Sequence, residues 1–180
     1  MELSELEKKR RRERKDYPYR LEYRTRWSDN DMYAHMNNSI YAFLFDSIIN
    51  TYLIERCGLD PFSSRSRSPE PSNPQSAISE PLPTSPQIGL VVSSYCDFFA
   101  SVSFPDVLEL GLRVTKLGKS SVTYEVGVFR KGENAVKVVG GFTHVFVDKA
   151  TMKPTTTGMI PSIRAGLQRL LVSNELESKL

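Results

Sequence analysis

Between a strand-like stretch and a helix-like stretch the chain reads Trp27-Ser-Asp29-Asn-Asp31-Met-Tyr-Ala34-His35-Met-Asn37-Asn38-Ser-Ile-Tyr41, which gathers two carboxylates, an imidazole and two amides at a helix start. The types suit an attack on a carbonyl. A carboxylate can deprotonate a water or add to the carbonyl carbon itself. The first backbone N–H groups of a helix have no internal partner, and the macrodipole adds about half a positive charge, so an oxygen gaining negative charge is favoured there. Asp31 lies seven residues before Asn38, near enough in the chain to face that point. Asn37, Asn38 and Ser39 are natural N-caps, and Asp29 reads as a structural turn carboxylate.

Two elements must hold these groups in place. From Tyr19 to Trp27, residues 19, 21, 23, 25 and 27 are the bulkier or less charged ones and alternate with Arg20, Glu22, Arg24 and Arg26, which predicts a strand with one buried face. From Ile40 to Arg56 the residues Ile40, Phe43, Leu44, Ile48, Ile49, Tyr52 and Leu53 recur at helical spacing, which predicts a long, deeply packed helix ending near Cys57-Gly58. Four strand-like stretches follow, at Ile88–Val102, Val107–Leu117, Ser120–Arg130 and Ala135–Asp148. The turn chemistry between them (Pro105-Asp106, Gly118-Lys119, Lys131-Gly132) predicts an antiparallel meander. Pro161 opens a short last helix with Ile163, Leu167, Leu170 and Leu171 on one stripe. One antiparallel sheet with a long apolar helix against it is an α+β arrangement.

The charge is uneven. Of 24 Lys/Arg and 21 Asp/Glu, seven and five fall in residues 1–16, leaving a nearly neutral body of 17 and 16. The basic run Lys8–Lys15 is read as a solvated, frayed terminal helix (residues 1–16) rather than a nucleic-acid site, since the body offers no matching positive surface. Residues 17–175 form a single domain. Within it, positions 61–86 hold seven prolines and eight serines and are expected to be a disordered insertion, because such a composition cannot bury enough apolar surface to offset chain entropy. The longest apolar run, Ile40–Ile49, is broken by Asp46 and is too short to span a bilayer. The acidic start argues against a secretory signal. Cys57 and Cys96 show no paired spacing, so neither a disulfide nor a metal site is expected.

The segment Asp29-Asn30-Asp31, then Ala34-His35-Met36-Asn37-Asn38 followed by Tyr41, resembles the hotdog-fold acyl-CoA thioesterases of the 4-hydroxybenzoyl-CoA thioesterase type, as do Leu117–Val122 and His144–Asp148. The resemblance runs from about Tyr17 to Leu171 apart from the insertion. It implies a hotdog fold, an antiparallel β-sheet wrapped around a long central α-helix, and thioester hydrolysis without cofactor or metal. It implies Asp31 as the catalytic carboxylate, base or nucleophile, and the Asn38 N–H as the group that polarises the carbonyl. His35 and Asn37 complete the catalytic set. Tyr41, Lys119, Ser120 and Ser121 are the expected substrate contacts, and His144 is a core or interface residue. Sites of this family lie between subunits, so a homodimer or homotetramer is expected. One departure is Ala34, where the family usually has glycine; a side chain there restricts a left-handed turn. The rival readings are a hotdog enoyl-CoA hydratase and a noncatalytic acyl-CoA-binding protein.

The chain ends Ser178-Lys179-Leu180, the tripeptide of a peroxisomal import address. Residues 176–180 are therefore expected to be a targeting tail read by the import receptor, placing the protein in the peroxisomal matrix.

Overall fold

A computed structural model describes residues 3–59 and 85–172. The Pro/Ser-rich positions up to 84, and the terminal Ser178-Lys179-Leu180, lie outside the described residues. The first helix, α1, spans Glu5–Arg10 and is opened by a capping box between Ser4 and Glu7. The long helix, α2, spans Asn38–Cys57, is capped by Asn37, and ends on Gly58 in the left-handed conformation at φ 67°. Its buried face is Tyr41, Leu44, Phe45, Ile48, Ile49, Tyr52 and Leu53. Phe43, expected on that face, instead points to solvent at 68% exposure. At about 100° per residue Phe43 lies far around the helix from Ile48 and Ile49, which are fully buried at the centre of the arc that the sheet covers.

Five antiparallel strands make one sheet in the order β1-β3-β4-β5-β2: β1 Tyr19–Arg24, β2 Gln87–Phe98, β3 Val107–Leu117, β4 Ser121–Arg130 and β5 Val136–Asp148. Only β3, β4 and β5 form the expected meander. β2 does not pair with β3 but lies at the far edge against β5, with Ile88 opposite Val147 and Phe98 opposite Val138. Residues 99–106 are therefore a crossover and not a hairpin. Val102 accepts the Met36 N–H at 2.8 Å and Asp106 accepts the Thr25 N–H at 3.0 Å, so the crossover is stitched to the chain between β1 and α2. β1 also stops earlier than expected. Thr25 turns toward Asp106, and Trp27, expected inside, is 79% exposed with its edge on Phe104. The last helix, α3, spans Pro161–Gln168 with proline in its first turn. It packs on the end of α2, where the Tyr52 hydroxyl donates to the Gly166 carbonyl at 2.7 Å.

The helix side of the sheet holds the main core, including Leu108, Leu110, Leu112, Tyr124 and Phe146. The other side is crossed by the N-terminal segment, which is ordered rather than frayed. Lys9 pairs with Asp97 at 2.7 Å, Arg12 with Glu125 at 3.2 Å and Arg14 with Glu109 at 2.6 Å. Tyr17 lies in a slot made by two glycines: a Cβ on Gly111 or on Gly127 would stand 2.6 Å from its ring. Its hydroxyl donates to Glu125, which also pairs with Arg113 at 2.9 Å. Asp97, Glu109 and Glu125 lie on three different strands, β2, β3 and β4, and only the pairing of the sheet brings them to one face that the basic run can answer.

Candidate active site

The loop from Asp29 to Asn37 is closed at its base and fixed in its middle. Asn37 donates its N–H to the Asp29 carbonyl at 2.8 Å, and the Asp31 N–H reaches the His35 carbonyl at 2.7 Å. The Asp29 carboxylate is buried and accepts from the Tyr23 hydroxyl at 2.7 Å and the Arg26 N–H at 2.8 Å, so it is a structural anchor, as its position suggested. Burial opposes its charge, but the Arg26 backbone N–H, the Tyr23 hydroxyl and the Arg26 guanidinium together hold its pKa below the usual value.

Asp31 is half-buried. Its Oδ1 accepts the N–H groups of Tyr33 at 2.8 Å and His35 at 3.2 Å. Both bonds fall on one oxygen, and among the described residues no donor reaches Oδ2. The carboxylate is therefore oriented while one oxygen keeps its lone pairs for a water or a carbonyl carbon. The turn that does this needs residue 34 in the left-handed region, and Ala34 sits there at φ 59°. The restriction expected from its side chain is overcome: the exposed methyl meets no packing constraint, and four hydrogen bonds around the turn outweigh a cost of about 1–2 kcal/mol.

Asn37 caps α2 through Oδ1, which accepts the Ser39 N–H at 3.0 Å, while its carbonyl takes the Ile40 N–H at 2.9 Å. Neither cap bond uses the Asn38 N–H, the first of the helix and the one expected to polarise a carbonyl. The His35 side chain is exposed, and its part in the turn is made by its backbone. Tyr41 is buried, its ring edge-on to Phe98 at 5.3 Å, and burial pushes its hydroxyl up to about 12.

The structure does not bring the turn at Lys119–Ser121 to this point. Arg24, at the Asp31 end of β1, pairs with Val107 at the start of β3, and the turn follows the other end of β3. At about 3.3 Å per residue, the eleven residues of β3 separate them by roughly 30 Å within one chain. The turn is pinned by its carbonyls: Lys119 accepts from Met159 at 3.0 Å, Ser120 from Phe146 at 2.8 Å, and Ser121 from Gly118 at 2.8 Å. His144 is buried among the rings of Tyr124, Phe142 and Phe146, away from the loop, and burial lowers its pKa to about 4.

Sequence reasoning missed the apolar rim. Met32 (88% exposed), Tyr33 and Phe43 surround the loop and helix start, and Val91, Val92 and Phe98 stand exposed on the open edge strand β2. The signal was Met32-Tyr33 directly after Asp31, two large apolar residues in a polar link. Among the described residues no cluster of His, Cys, Asp and Glu could hold a metal ion, and no helix is long and apolar enough to cross a membrane.

The thioesterase superfamily family model matches residues 33–137. Among solved structures, the PA5185 protein from Pseudomonas aeruginosa strain PAO1 is 40% identical, with a TM-score of 0.75 over 90% of this chain and 97% of that one. A 1,4-dihydroxy-2-naphthoyl-CoA thioesterase from Synechocystis has the same fold at 13% identity, TM-score 0.61, over 83% of this chain and 95% of that one. A thioesterase from Thermus thermophilus, solved with coenzyme A and Zn, is 19% identical, with a TM-score of 0.61 over 86% and 95%. No curated protein matches the chain. A five-stranded antiparallel sheet packed on one long helix, with these relatives, is the hotdog fold. The chain belongs to the thioesterase superfamily.

Proposed function

We propose that the protein hydrolyses fatty acyl-CoA to free fatty acid and coenzyme A. The observation that carries this reading is Asp31: a carboxylate oriented by two backbone N–H groups on one oxygen, with the other oxygen open, beside the first turn of α2. The thioester carbonyl points its oxygen at the Asn38 N–H, where the helix N-terminus stabilises developing negative charge. Asp31 either takes a proton from a water that attacks the carbonyl carbon, or adds to that carbon itself to form an acyl-Asp31 anhydride that a water then hydrolyses to free acid; in both routes the C–S bond breaks and the thiolate leaves. The thiol that leaves has a pKa near ~8.5, so the thiolate departs without a strong acid. Asn37 sets the helix start, and His35 holds Asp31 through its backbone N–H.

The working unit in this reading is a homodimer or a homotetramer built from it. β2 is an open edge strand with exposed valines, and the site has an apolar rim, both of which suit a second copy of the chain. The Lys119–Ser121 turn, remote from Asp31 in its own chain, then serves as a substrate contact across the interface, and Tyr41 backs the pocket wall. The terminal Ser178-Lys179-Leu180 addresses the enzyme to the peroxisomal matrix through the import receptor.

The test is product analysis with acyl-CoAs from short to long chains. Free acid and thiol in equal amounts support the reading. Formation of 3-hydroxyacyl-CoA without thiol identifies a hydratase, and tight binding without turnover identifies a binding protein; either overturns it. A fluorescent protein carrying the last ten residues is expected in peroxisomes, and diffuse signal rules out the targeting.

A further inference from the structure

We propose that the N-terminal helix α1 is a clamp for the phosphate-bearing end of the coenzyme A substrate, with Arg10 and Arg11 taking the phosphates and the groove against Phe98 and Phe99 taking the pantetheine arm; this rests on the acyl-CoA reading above. The groove has a volume of about 280 Å³ and is lined by Leu6, Glu7, Arg10, Phe98 and Phe99. Three of these residues are apolar, and Arg10 brings a guanidinium beside the Glu7 carboxylate, so the groove offers apolar contact for an aliphatic arm and a donor for a phosphate.

Its place in the fold ties it to the site. The Phe98 ring that forms its wall packs on Tyr41 at 5.3 Å, and Tyr41 is less than one turn of helix from Asn38. The chain leaving β2 is bonded to the site loop, through Val102 to the Met36 N–H at 2.8 Å and through the Phe104 N–H to Asn30 Oδ1 at 3.1 Å. Phe98 is thus shared between the groove and the aromatic contact with Tyr41 on α2, and α1 forms the groove's other side. That helix is held there: Lys9 pairs with Asp97 at 2.7 Å and lies over the Tyr95 ring at 4.1 Å.

The basic run is divided by this docking. Lys9, Arg12 and Arg14 are spent on carboxylates of the sheet, and Lys8 and Lys15 pair with Glu5 and Glu13. Arg10 and Arg11 are exposed and form no ion pair among the described residues. The carboxylate on the rim, Glu7, is occupied by the Ser4 N–H at 3.0 Å and the Ser4 hydroxyl at 3.1 Å. Arg10 lines the groove beside Glu7, and Arg11 follows it at the end of α1, where its charge also acts on Glu7; both guanidiniums are exposed, and guanidinium is suited to phosphate.

The experiment compares acyl-CoA with the same acyl group on N-acetylcysteamine, a thioester without phosphates. In the full chain, Arg10→Glu with Arg11→Glu is expected to raise KM for acyl-CoA about tenfold with kcat unchanged, since two exposed charge contacts become repulsive. KM for the phosphate-free thioester stays within twofold, and Arg10→Gln with Arg11→Gln gives a smaller rise in the same direction. An unchanged KM for acyl-CoA, or an equal change for both thioesters, overturns the clamp. If the native protein hydrolyses neither thioester, the hydrolase reading fails by itself, and calorimetry with coenzyme A decides the clamp: affinity about tenfold weaker in the Glu variant supports it, while equal affinity or no binding overturns it.

Discussion

Tyr17 and Gly127 offer a direct test of how the N-terminal segment is held. A methyl group on Gly127 would stand 2.6 Å from Tyr17 Cζ and 2.7 Å from its hydroxyl oxygen, inside van der Waals contact. Gly127→Ala alone is therefore an overpacking substitution and is expected to cost about 1–3 kcal/mol. Tyr17→Ala removes a ring that is only 2% exposed and is expected to cost about 3–5 kcal/mol. In the double variant the methyl enters the space the ring has left, and replacing a strand glycine adds back about 0.5–1 kcal/mol. The double variant is then no less stable than Tyr17→Ala, a coupling of about 1–3 kcal/mol instead of additivity. Urea unfolding followed by far-UV circular dichroism is the assay, because Trp27 is already exposed and its fluorescence reports little of the core. Strict additivity, or a harmless Gly127→Ala in the native background, would show that Tyr17 does not occupy the glycine slot.

Ala34→Gly relieves a left-handed alanine at φ 59°, and after the extra freedom of glycine in the unfolded chain is subtracted it is expected to stabilise by about 0.5–1 kcal/mol; a loss of stability in the same urea assay counts against the turn. Asn37→Ala removes the oxygen that caps α2 and is expected to cost about 1 kcal/mol, with Asn37→Ser restoring most of it. His144 is neutral in the folded and unfolded states at pH 7. Burial lowers its folded pKa from 6.5 to about 4, so as pH falls through that window the unfolded chain binds a proton that the folded chain does not, and stability falls by up to about 3 kcal/mol. His144→Phe should flatten that part of the stability profile, and an unchanged profile would show that His144 is not the group responsible.

Much of the framework was legible because it depends on local signals. The cap at Asn37, the stop at Gly58, the bounds of β3 and the proline opening α3 follow from chemistry within a few residues. The Asp-x-Asp to Asn-Asn loop was legible too, down to the structural part of Asp29 and the motif's position at a helix start. What failed was non-local. β2 reaches the far edge of the sheet because residues 99–106 are bonded to the site loop, which no turn motif announces. Trp27 is exposed because Thr25 bends the chain toward Asp106 and ends the alternation. The docking of the basic run depends on carboxylates about 90 to 110 residues away in sequence that only strand pairing aligns. Ala34 was the subtler case, since its left-handed conformation depends on how many bonds the turn around it makes.

The central claim is that Asp31 performs the hydrolysis. Asp31→Asn keeps the Oδ1 that accepts from Tyr33 and His35, so the loop geometry is preserved while the charge and the basic oxygen are lost. Thiol release from a fatty acyl-CoA, followed with a chromogenic disulfide reagent, is expected to fall at least about 100-fold in kcat in this variant, with substrate binding retained. Turnover within a few-fold of the native protein would contradict the assignment and move the chemistry to another group.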